Sequence, residues 1–82
     1  MYKKNITVTV KDGLHDKTAA SFTKTAVEFK DTNIYVYKDN LKANAKNIMA
    51  VLSIGAVSGS EILIEAEGPD EEKAVEALCA IL

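Results

Sequence analysis

One histidine, His15, stands in the 82 residues of this chain, and it falls where an alternating stretch gives way to a helically spaced one. Gly13 precedes it by two positions and Lys17 follows by two. A helix start leaves backbone N–H groups without intrahelical acceptors and carries partial positive charge, so an anion placed there gains hydrogen bonds and field together. A neutral imidazole nitrogen at such a place can act as a nucleophile. A phosphoryl group on His15 would meet the N–H groups of the next few residues. A histidine in a turn is otherwise an ordinary polar surface residue; its setting makes this one a candidate.

The other chemistry-bearing residues read as structural. Cys79 lies in an apolar C-terminal pattern with no second cysteine to pair with, which favours a reducing compartment and a packed thiol. Glu61, Glu65 and Glu67 alternate along one strand pattern, but neighbours two apart sit about 6–7 Å from each other and lack a histidine or aspartate partner, so a solvated sheet face is expected and no metal site. Tyr35 and Tyr37 would suit base stacking, yet carboxylates around them would repel a phosphate backbone. Ten lysines and no arginine face twelve acidic residues, a net charge of −2, so no basic field exists to hold nucleic acid. No apolar run reaches the length of a membrane span, and Met1-Tyr2-Lys3-Lys4 leads into a strand pattern, so a cytoplasmic chain without membrane insertion is expected.

Something must hold His15 in place, and the periodicities say what. Residues 4–10 alternate, with Ile6, Val8 and Val10 on one face. After the Lys11-Asp12-Gly13 turn, Ala19, Phe22, Ala26 and Phe29 recur at helical spacing, with Ala20 and Val27 on the flanks, predicting a helix over 16–28. A strand over 33–38 and a shorter one over 41–44 form a hairpin across Asp39-Asn40. A short helix is expected over 46–52, and then Ile62, Ile64 and Ala66 oppose the three glutamates in a strand. Asp70 is expected to cap a last helix carrying Ala74, Val75, Leu78 and Leu82. Strands apolar on one side only predict an α+β fold of order βαββαβα: a two-layer open-faced β-sandwich, four antiparallel strands with three helices on one face. Composition and length predict a single domain over 1–82.

Gly13-Leu14-His15-x-Lys17-x-Ala19-Ala20-x-Phe22-x-Lys24-x-Ala26 resembles the active-site segment of HPr, the histidine-containing phosphocarrier family of the bacterial phosphoenolpyruvate:sugar phosphotransferase system. Lys46 through Gly55 resembles the family's second helical segment, and Gly59 through Ala74 its last strand and helix start. The resemblance implies that His15 accepts a phosphoryl group on Nδ1 from enzyme I and hands it to enzyme IIA-type domains of sugar permeases. It implies no metal or organic cofactor and a carrier, not an independent catalyst. It also implies a docking patch of Ile48, Met49 and Leu52, edged by Ala20, Lys24 and Lys46. A monomer is expected.

The family motif reads Gly-Leu-His-x-Arg-Pro, and this chain departs from it. Lys17 keeps the charge of the arginine without its planar fork, and Thr18 replaces the fixed backbone of proline with a hydroxyl; both are expected to bind phosphate. Asp16 is expected to cap the helix, taking the N–H groups a phosphoryl group needs. At about 6 Å and a dielectric near 20 its charge would repel a phosphoryl group by roughly 3 kcal/mol per unit charge, falling to about 1 kcal/mol or less if it faces solvent. Asn47 stands where Gram-positive members carry a regulatory serine, and an amide cannot be phosphorylated. These departures motivate one alternative, a divergent paralogue acting through protein contacts; a ferredoxin-like nucleic-acid binder shares much of the element order, but charge and aromatic placement disfavour it.

Overall fold

The computed structural model describes residues 1–82 as β1 (Tyr2–Thr7), α1 (Asp16–Val27), β2 (Asn33–Lys38), β3 (Leu41–Asn44), α2 (Ile48–Ser53), β4 (Glu61–Glu67) and α3 (Glu71–Cys79). The expected order is the observed one. The sheet runs β1-β4-β2-β3, every neighbour antiparallel. Alternation decides its faces: Ile62, Ile64 and Ala66 of β4, Ile34 and Val36 of β2, and Ala43 of β3 are buried beneath the helices. Phe22 of α1, Val51 of α2 and Leu78 of α3 meet them in one apolar cluster, each such side chain stabilising the fold by about 1.5–3 kcal/mol through burial.

The other sheet face is polar, as the glutamate row requires. Glu65 Oε1 accepts from the Tyr37 hydroxyl at 3.1 Å, and its second oxygen lies 3.9 Å from Lys3 Nζ. The Lys42 ammonium sits 4.4 Å from the centre of the Tyr35 ring, so that aromatic face is already covered by a cation.

Two elements and one cap differ from expectation. β1 covers residues 2–7 and not 4–10, because its partner β4 starts at Glu61, opposite Thr7. Beyond that point Val8 bonds to Ser60 and Gly59, and the N–H groups of Thr9 and Val10 both donate to the Leu82 carbonyl. The second helix starts two residues late, at Ile48, where Asn47 caps it. Asp70 occupies the cap position of α3 but its side chain caps nothing; Glu71 reaches back instead and accepts from the Gly68 N–H at 3.3 Å. Cys79 is half-buried at the end of α3, and burial pushes its thiol up from its ordinary value, which keeps it protonated.

Candidate functional site

The loop between β1 and α1 is clamped from below before it presents anything above. Gly13 adopts φ +66°, and a Cβ there would lie 2.5 Å from the Ala56 carbonyl oxygen and 2.7 Å from the Val57 Cα. Only a glycine lets the two backbones approach so closely. The Leu14 N–H donates to that Ala56 carbonyl at 2.9 Å, and its side chain is buried in the core. His15 follows in extended backbone (φ −141°, ψ 151°), where successive side chains point to opposite sides. Leu14 goes down, so His15 goes up: its side chain is 69% exposed.

His15 is itself the N-cap of α1. Its carbonyl accepts from the N–H groups of Thr18 (3.1 Å) and Ala19 (3.4 Å), while those of Asp16 and Lys17 have no acceptor in the protein. A shallow depression of about 260 Å³ opens over this helix start, lined by Asp12, His15, Asp16, Lys17 and Thr18. Lys17 makes no ion pair, so its charge is available to an anion in the depression. Lys17 and Thr18 therefore line the same depression as His15.

Asp16 corrects the expectation. It is the first residue of α1, not its cap, and it takes none of the free N–H groups. Its backbone has φ +43°, a left-handed conformation that asparagine and aspartate tolerate better than most residues. Its side chain is 84% exposed, yet Oδ2 lies 3.3 Å from His15 Nδ1. The helix start is thus left open, with the carboxylate beside one ring nitrogen. Asp12, which also lines the depression, escaped the sequence reading because it looked like turn chemistry; its place next to Gly13 was the available signal.

Asn47 accepts from the N–H groups of Met49 (3.0 Å) and Ala50 (3.2 Å), so its amide serves as the cap of α2. Met49 is 70% exposed, Ile48 is exposed and Leu52 is half-buried. Ala20 and Lys24 lie on the exposed side of α1, which packs against α2. Lys46 is held differently: its ammonium donates to the Phe29 carbonyl at 2.7 Å, just past the C-terminal end of α1, where a cation is favoured.

The profile of the PTS HPr component phosphorylation site matches residues 2–82. The chain belongs to the HPr family. It is 39% identical to the phosphocarrier protein HPr of Vibrio cholerae, over all of this chain and 95% of that one. It is 42% identical to the HPr-like protein Crh of Halalkalibacterium halodurans, over all of this chain and 96% of that one. The crystal structure of an HPr from Bacillus anthracis superposes with a TM-score of 0.95 at 40% identity, covering 99% of this chain and 95% of that one. Membership makes proteins of the phosphotransferase system the general class of partner. No helix of this HPr-family chain is long and apolar enough to cross a membrane.

Proposed function

We propose that this HPr-family chain, as one domain over residues 1–82, is a phosphocarrier whose His15 accepts a phosphoryl group from enzyme I and passes it to enzyme IIA-type permease domains. The observation that carries the reading is the exposed imidazole of His15 standing over the unpartnered N–H groups of Asp16 and Lys17. These groups and the Lys17 ammonium meet the negative charge of the transferred group, so little is asked of the chain beyond positioning and electrostatics. It acts as a monomer in the cytoplasm. Ile48, Met49 and Leu52 form the docking patch, with Ala20 and Lys24 at its edge, and an unbranched Met49 can repack against more than one partner. Lys46 joins that edge through its stem, its ammonium being held by Phe29.

Incubation with enzyme I and labelled phosphoenolpyruvate tests the reading. An acid-labile adduct that disappears in His15→Ala is expected, and no adduct with enzyme I from several bacteria would overturn it. The second reading, a paralogue that works through protein contacts with weak phosphoryl transfer, is favoured by the carboxylate at His15 Nδ1. Under it, His15→Ala leaves binding to partner proteins intact.

A further inference from the structure

We propose that Leu82 is a positioning residue for His15: its carbonyl oxygen gathers three donors from Thr9 and Val10 and so fixes the start of the loop that presents the imidazole. This rests on His15 being the phosphoryl acceptor. The oxygen accepts from the Thr9 N–H at 2.7 Å, the Val10 N–H at 2.9 Å and the Thr9 hydroxyl at 2.7 Å. Leu82 stands 73 residues from Thr9 in sequence, so the tie is tertiary. Its side chain is buried in the core, which seats the carbonyl, and its N–H donates to the Cys79 carbonyl at 3.1 Å, prolonging the end of α3. Carbonyls at a helix end lack intrahelical donors and carry partial negative charge, so converging N–H and O–H groups are favoured there.

The loop depends on this tie because it has few others. Val8, where the chain leaves β1, exchanges bonds with Ser60 and Gly59, and Leu14 bonds to Ala56. Between them, residues 9–13 make no other hydrogen bond to any residue outside the loop. The hold passes on within it: the Val10 carbonyl accepts from the Gly13 N–H at 3.0 Å, closing the turn through Lys11 and Asp12. Gly13 leads directly to buried Leu14 and exposed His15, so a shift of the turn is carried into the imidazole. Misplacing a reacting group by about 1 Å can cost about a hundredfold in rate. The docking patch is carried by α1 and α2, which the Leu82 carbonyl does not touch. Loosening the tie therefore changes the rate of transfer and leaves affinity for the donor alone.

Leu82→Ala would unseat the carbonyl but would also open the core, so the decisive variants are at Thr9. Thr9→Val keeps a similar shape and removes the hydroxyl donor, and Thr9→Ser retains it. With enzyme I and labelled phosphoenolpyruvate, Thr9→Val is expected to lower the kcat of His15 labelling about threefold to tenfold with the KM for the chain unchanged. Thr9→Ser should restore the wild-type rate. Equal kcat in Thr9→Val, a slow Thr9→Ser, or a change confined to KM overturns the proposal. Nitrogen-15 relaxation separates this outcome from failure of the carrier reading. The backbone order parameters of Gly13 to His15 are expected to fall in Thr9→Val and recover in Thr9→Ser, and unchanged values overturn the proposal. That pattern in a chain that no enzyme I labels would leave the hold of Leu82 on His15 standing and remove only the carrier reading.

Discussion

Gly13 and Ala56 meet backbone to backbone: a Cβ on the glycine would stand 2.5 Å from the alanine's carbonyl oxygen, and the residue after the glycine donates its N–H to that same oxygen. The contact fixes where the β1–α1 loop lies on the α2–β4 loop, and with it the direction of His15. Gly13→Ala is therefore expected to cost about 2–3 kcal/mol, combining strain at positive φ with a clash that only backbone movement relieves. Gly59→Ala also places a side chain at positive φ but meets nothing within 4 Å, so it is expected to cost about 1 kcal/mol. Urea denaturation of both variants checks the difference, and Gly13→Ala alone should also lose phosphoryl acceptance.

Lys17 supplies charge without the geometry of an arginine. Lys17→Arg, which can grip two phosphoryl oxygens at once, is expected to raise labelling of His15 by enzyme I several-fold. Lys17→Gln should lower it by about tenfold, the loss of one charge-assisted contact of roughly 1.5 kcal/mol. Initial rates with labelled phosphoenolpyruvate give both numbers, and equal rates for all three chains would remove Lys17 from the site.

Asn47 caps α2 through two N–H groups. Asn47→Ala should cost about 1 kcal/mol in thermal or urea unfolding, and Asn47→Ser should cost only a few tenths because serine caps as well. The native chain is expected to take no label from ATP in the presence of an HPr serine kinase. Label on any residue of the wild type would contradict this, and label gained by Asn47→Ser would show that the amide alone withholds the modification.

The chain's response to pH follows from its exposed ion pairs. Glu76 is lowered from its ordinary 4.5 by the Lys4 ammonium and then the Tyr2 hydroxyl, and Glu71 by the Met1 amine and then the Gly68 N–H. Their contribution is fully present above 4.5 and is lost as pH falls through the lowered values. The Met1 amine is raised from 8.0 by Glu71, so its share is present below 8.0 and lost as pH rises through the raised value. Glu76→Gln should narrow its difference in Tm from the wild type as pH drops below 4.5, with a small amplitude because the groups are solvated. Parallel curves across that range would show the pair contributes nothing.

The periodicities of this chain determined its element order and the wet face of its sheet, because side chains that alternate every two residues or recur every three to four leave few ways to bury a face. Gly13, Leu14 and His15 marked the site for the same local reason: a turn, an anchor and a nucleophile in consecutive positions. Tertiary structure decided what depends on distant partners. The end of β1 followed from where β4 begins, the need for glycine at position 13 from a loop some forty residues away, and the role of Lys46 from the end of α1. Asp16 is the sharpest case. Its type suggested a cap, but with a left-handed backbone its carboxylate bonds none of the helix amides and lies 3.3 Å from the His15 ring, and no local pattern encodes that placement.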